Sequence, residues 1–129
     1  MNCRGAFGAG VAGQIGQIYP GVKSEYLRKY QVEGWKLGEV QFVAATDTGL
    51  WIANCATQDN FLPRNVRNVN YGYLALALFR VKNYILPFEG QRQIMPVAMP
   101  KIGCGLAGGD WNVVEQIVND IFHDSEILV

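Results

Sequence analysis

Residues 94–111 read Ile-Met-Pro-Val-Ala-Met-Pro-Lys-Ile-Gly-Cys-Gly-Leu-Ala-Gly-Gly-Asp-Trp. The apolar run over 94–99 predicts a strand. The glycines at 103, 105, 108 and 109 predict a loop, and Asp110 the cap of an amphipathic helix over 111–122. Glycine lets backbone N–H groups approach an anion with no Cβ in the way, and a helix N-terminus adds partial positive charge. The stretch is built to hold a phosphate.

Gly103, Gly105 and Gly108 also match the spacing of a dinucleotide-binding fingerprint, G-x-G-x-x-G. That fingerprint belongs to the first strand–helix turn of a long alternating domain. Here only 21 residues follow Gly108. Glu126 lies near the distance of a ribose-binding acid, but no further strand–helix units come after it. A phosphate loop of another α/β fold is the better reading.

A second glycine loop supports it. Gly5-Ala6-Phe7-Gly8-Ala9-Gly10 precedes a segment in which Val11, Ile15, Ile18 and Tyr19 fall on one helical face, with Pro20-Gly21 as its stop. Gly13 and Gly16 are poor helix formers and point to close packing or a short helix there. Two such loops, each opening a helix, can hold a diphosphate from both sides; the plainer alternative for each is a tight turn needing positive φ.

The rest of the chain fills in an α/β domain. Ser24 is placed to cap a helix over 25–32, stopped by Gly34. Residues 39–45 and 50–56 read as strands about a turn at Thr46-Asp47-Thr48-Gly49. A polar loop spans 57–70. Asn70 then caps a helix over 71–84, with Tyr73, Leu74, Ala77, Leu78 and Val81 on one stripe and a turn at Pro87-Phe88-Glu89-Gly90. A last strand is expected over 127–129. Late alternation of helices and strands favours an α/β sandwich with parallel central strands. With no strand ahead of the first loop and a short final one, the chain reads as a single domain, 1–129, shortened at both ends.

Composition excludes several classes. The chain has 129 residues, half of them apolar and 17% charged, enough for a real core. Eleven basic residues balance eleven acidic ones, so nothing attracts nucleic acid in bulk and an anionic ligand must be held by local geometry. No apolar run approaches a membrane span and no signal peptide is visible. Cys3, Cys55 and Cys104 form no C-x-x-C pair, which suits a reduced cytoplasmic setting. His123 is the only histidine, late in the last helix, so a histidine-rich metal site or Ser-His-Asp chemistry is not expected; no metal or cofactor is expected.

Individual residues keep two readings each. Asn2 precedes the first loop, where its carboxamide can bond a ribose hydroxyl or close an Asx turn. Asp110 is first a helix N-cap, and additionally a candidate to activate water beside a bound ligand. Cys104, between two glycines, is a weak candidate nucleophile with no base nearby in sequence. Phe61, Arg64 and Arg67 either cover a nucleotide or decorate a solvated loop.

With these residues in hand, the chain resembles the macro domain family, which binds ADP-ribose and its derivatives. The match is carried by residues 2–12, Asn-Cys-Arg-Gly-Ala-Phe-Gly-Ala-Gly-Val-Ala, and by 99–111, Met-Pro-Lys-Ile-Gly-Cys-Gly-Leu-Ala-Gly-Gly-Asp-Trp. The second stretch is similar to the bacterial and phage branch of ADP-ribose 1″-phosphate processing enzymes, related to terminal ADP-ribose protein glycohydrolases. The resemblance implies a three-layer α/β/α sandwich with a mixed central sheet, lacking the first strand and helix. It implies Asn2 beside the distal ribose, with Gly8, Ala9, Gly10 and Val11 around the ribose and diphosphate. Ile102, Gly103, Cys104, Gly105 and Leu106 would offer N–H groups from the other side, with Phe61 at the border. The implied partner is ADP-ribose or an ADP-ribosylated molecule, bound with or without hydrolysis at the distal ribose.

Three departures bear on mechanism. No position corresponds to the acidic residue that meets adenine in the family. Residues 54–56 read Asn-Cys-Ala where the glycohydrolases carry a lysine. Ala107 stands where their catalytic aspartate follows the second loop. The lysine–aspartate mechanism therefore does not transfer.

Overall fold

The computed structural model describes residues 1–47, 49–89 and 96–123. Helix α1 (Gly10–Ile18) runs directly into α2 (Pro20–Val32), with Tyr19 serving as the last cap of one and the first of the other. The first helix stops just before Pro20, as expected, and Pro20 also begins the next one. A proline in the first helical turn has no N–H to leave unpaired, and its φ already suits the helix. Ser24 thus lies inside α2, its hydroxyl donating to the Pro20 carbonyl at 3.1 Å. Gly34, at φ 76°, stops α2 as expected.

Strands β1 (Val40–Ala44) and β2 (Trp51–Cys55) form an antiparallel hairpin, with Phe42 opposite Ala53. At its turn the Ala45 N–H donates to the Leu50 carbonyl at 2.9 Å; Thr48 lies outside the described residues. The alternation of the strands decides the layers. Val43, Ala45 and Ile52 pack with Val22 and Tyr26 of α2, whereas Val40, Phe42 and Cys55 pack with Ala77, Val81 and Ile85 of α3 (Tyr71–Glu89). Helices therefore cover both faces of the hairpin, the three-layer α/β/α arrangement. A parallel contact is added by Asn2 against Gln58.

Helix α3 extends beyond the expected end at 84, through Pro87 to Glu89; Gly90 lies outside the described residues. A proline there forgoes a single ladder bond, after four turns of helix have already formed. Leu74, Ala77, Leu78 and Val81 are buried as expected, but Tyr73 remains 40% exposed. Helix α4 (Trp111–Phe122) has the bounds the sequence predicts. Val114, Val118 and Phe122, four residues apart, seal it onto Leu74 and Leu78 of α3. Lys82 of α3 donates to the Ile121 carbonyl at 2.7 Å, satisfying one of the orphan acceptors at the end of α4.

Residues 96–100 carry no strand pairing, so the strand expected over 94–99 is not found in its described part; Ile94 and Met95 lie outside the described residues. Glu126 and the expected strand 127–129 also lie outside them. Among the described residues no helix is long and apolar enough to cross a membrane.

Candidate functional site

The first glycine loop opens α1 without a side-chain cap and without an acidic residue in the first turn. Among the described residues, the N–H groups of Gly8, Ala9, Gly10, Val11 and Ala12 meet no acceptor. Consecutive N–H groups left open at a helix start form a concentrated site for an anion. Gly10, at φ 57°, supplies the turn that aligns them.

Glycine serves a different purpose just behind. A Cβ on Gly13 would sit 2.8 Å from the Gly8 carbonyl oxygen, and one on Gly16 would meet the Phe7 ring at 3.1 Å. These two residues let α1 lie directly against its own loop, the close packing their presence in a helix implied.

The second loop, residues 100–109, is a series of tight turns. Gly109 donates to the Gly103 carbonyl at 2.8 Å and Gly108 to Gly105 at 3.0 Å, closing the loop on itself. Ile102 and Cys104 use their N–H groups on Pro100 and Lys101, and their side chains pack toward the α3–α4 core. Among the described residues, Gly103, Gly105 and Leu106 keep N–H groups with no backbone acceptor. The donors expected from 102–106 thus narrow to three. The reason is local: a chain that reverses this tightly must satisfy some of its own carbonyls.

One segment ties both loops together. Thr57, 2% exposed, donates its N–H to the Met1 carbonyl at 3.0 Å, and its own carbonyl accepts from Asn70 at 2.8 Å. Cys3 donates to Gln58 and Asp59, each at 3.1 Å, and Arg4 pairs with Asp59 at 2.7 Å. At the other end, Asn68 and Val69 donate to Ala107 of the second loop at 2.8 and 3.2 Å. Residues 57–70 are therefore the floor on which both loops are mounted. Val11 at 43% and Leu106 at 63% are exposed on residues that carry open donors, and Phe61 is 43% exposed on the 57–70 segment. Arg67 lies over the Tyr71 ring at 4.4 Å; Arg64 is exposed on the same segment.

The remaining candidates resolve as follows. Asn2 is 7% exposed and its carboxamide is engaged. Its Oδ1 accepts from Arg4 and Ala6 at 2.9 and 3.2 Å, and its Nδ2 donates to the Ala6 carbonyl at 2.7 Å. That is the Asx-type reading. Asp110 caps α4, with Oδ1 accepting from Asn112 at 2.9 Å, while its own N–H donates to the Tyr71 hydroxyl at 2.9 Å. Burial, and then the nearby Asp110 charge, push the Cys104 thiol up, so this cysteine is held away from the thiolate form. Its Sγ contacts the Ile102 carbonyl at 3.4 Å. His123 sits exposed at the end of α4 with Nδ1 3.1 Å from the Asp120 carbonyl.

Fold and site together define an α/β domain whose two glycine loops share one floor. The chain belongs to the macro domain family, whose model matches residues 1–118. Macro domains are in general ADP-ribose-binding modules. The chain is similar to a solved protein of unknown function from Bacteroides thetaiotaomicron: 27% identity, TM-score 0.85, covering 98% of this chain and 80% of that one. It is similar to a macrodomain protein from Streptomyces coelicolor, at 26% identity and TM-score 0.78, covering 98% of this chain and 80% of that one. The macrodomain of Mycobacterium tuberculosis DarG shares the fold at 24% identity and TM-score 0.83, covering 99% of this chain and 82% of that one. A search of curated proteins finds no match.

Proposed function

We propose that this protein binds ADP-ribose, free or attached to another molecule, across its two glycine loops. The observation that carries the reading is the pair of open donor sets, Gly8 to Ala12 on one side and Gly103, Gly105 and Leu106 on the other, mounted on one segment. N–H groups arranged in this way neutralise a diphosphate without lysine or arginine, which suits a chain of zero formal net charge. Val11, Leu106 and Phe61 supply apolar surface for ribose and base beside a polar floor.

Calorimetric titration with ADP-ribose tests this, with AMP and NAD as controls. The expected result is a Kd on the order of micromolar, about −8 kcal/mol, with preference for ADP-ribose. A cooperatively folded sample that binds none of the three would overturn the reading.

A second reading adds hydrolysis at the distal ribose, such as phosphate removal from ADP-ribose 1″-phosphate. It rests on Asp110, whose capping bond uses only Oδ1; among the described residues Oδ2 makes no hydrogen bond. That oxygen can orient water beside the second loop. Asp110→Asn separates the roles, because asparagine is as good an N-cap as aspartate. The melting temperature and ADP-ribose affinity are expected to stay as in the wild type. Under the hydrolytic reading, phosphate release falls by about 100-fold or more. A wild-type protein that binds ADP-ribose and releases no phosphate would instead be a reader or sequestering module.

A further inference from the structure

Helix α2 carries no glycine loop and drew no functional expectation, yet two of its side chains, one helical turn apart, reach the first loop. Tyr26 is fully buried, its ring set between Phe7 at 5.0 Å and Trp35 at 5.3 Å. Its hydroxyl donates toward the Asn2 carbonyl at 2.7 Å, with Asn2 Oδ1 at 3.1 Å. Tyr30 works by shape. A Cβ on Gly5 would fall 2.8 Å from two carbons of its ring, and Gly5 itself stands at φ 78°.

We infer that Tyr26 is a positioning residue for the anion loop, holding Asn2 so that the open N–H groups of residues 8–12 converge on one point. The inference rests on the proposed ADP-ribose site for its ligand, though not for its geometry. Asn2 transmits the effect. Its Oδ1 takes two backbone N–H groups of the loop while its carbonyl is tied to the phenol beneath. Burial pushes the phenol up to about 12, so the hydroxyl remains a donor across the working pH range. Tyr30 provides an internal contrast: among the described residues its hydroxyl makes no hydrogen bond, so only its ring is needed.

Two phenylalanine substitutions test this in the whole chain. Both keep the rings and remove one oxygen. Amide hydrogen exchange is measured first, without ligand and well below the melting temperature. Tyr26→Phe is expected to speed exchange at Arg4 and Ala6 by about tenfold, the scale of one lost hydrogen bond, with Leu78 and Val114 unchanged. Tyr30→Phe is expected to leave all of these sites as in the wild type. Uniform acceleration that includes Leu78 and Val114 would make Tyr26 merely a core residue and overturn the inference, as would no change at all. ADP-ribose titration follows. Tyr26→Phe is expected to weaken binding by about tenfold with the sample fully folded, and Tyr30→Phe by less than twofold. Wild-type affinity in folded Tyr26→Phe would also overturn it. If the wild type binds no ADP-ribose, the proposed function fails, and the exchange data still decide the role of Tyr26.

Discussion

Gly8→Glu is expected to weaken ADP-ribose binding by at least about 100-fold, since a carboxylate some 5 Å from a phosphate repels it by about 3 kcal/mol at an effective dielectric of 20. The fold should not notice. Gly8 is exposed, and a Cβ built there meets nothing within 4 Å. Substitutions at such positions change stability by about 0.5 kcal/mol or less, about 2 °C for a domain of this size. Calorimetry and a thermal melt on the same sample check both halves. A folded Gly8→Glu protein with wild-type affinity would place the ligand elsewhere and remove the first loop from the site.

Gly109→Ala has the opposite character. A Cβ there would lie 2.5 Å from the Gly103 carbonyl oxygen and 2.8 Å from Val69 Cγ1. The backbone oxygen cannot yield without breaking the Gly109–Gly103 bond that closes the second loop. Overpacking of this kind costs about 2–3 kcal/mol, which should lower the melting temperature by about 10 °C. ADP-ribose affinity should fall with it, because Gly103 and Gly105 present donors from the same turns. Gly105→Ala is the companion measurement: its Cβ meets nothing within 4 Å, so its melting temperature should match the wild type. Equal melting temperatures for Gly109→Ala and the wild type would show that the loop tolerates a different closure.

Much of this architecture was legible in residue order, for identifiable reasons. Helix α4 was readable end to end because Asp110 is a capping residue and Val114, Val118 and Phe122 recur every four positions. The hairpin was readable because two apolar runs flank a turn ending in Gly49. Pro20 was legible as the stop of α1 but not as the start of α2, since a proline that ends one helix can equally open the next, and the packing of α2 against β1 fixes that second helix. Val11 and Ile18 share a face with Ile15 and Tyr19 in the helical pattern, yet they are 43% and 67% exposed. The buried side of α1 is chosen by Phe7 and by the loop lying on Gly13 and Gly16.

By itself, then, the sequence determined that two glycine-rich turns each open a helix, that α4 is capped by Asp110, and that no strong bulk charge is available to hold an anion. These are local properties, set by φ preference, capping chemistry and periodicity within a few residues. Only the tertiary structure decided which glycines face open space, as at Gly8 and Gly105, and which admit a neighbouring backbone, as at Gly13, Gly108 and Gly109. It also decided that Asn2 is engaged beneath its loop and that Tyr26, 24 residues away, holds it there. Such outcomes depend on which distant chain segment arrives beside a residue, and no pattern within a single segment encodes that.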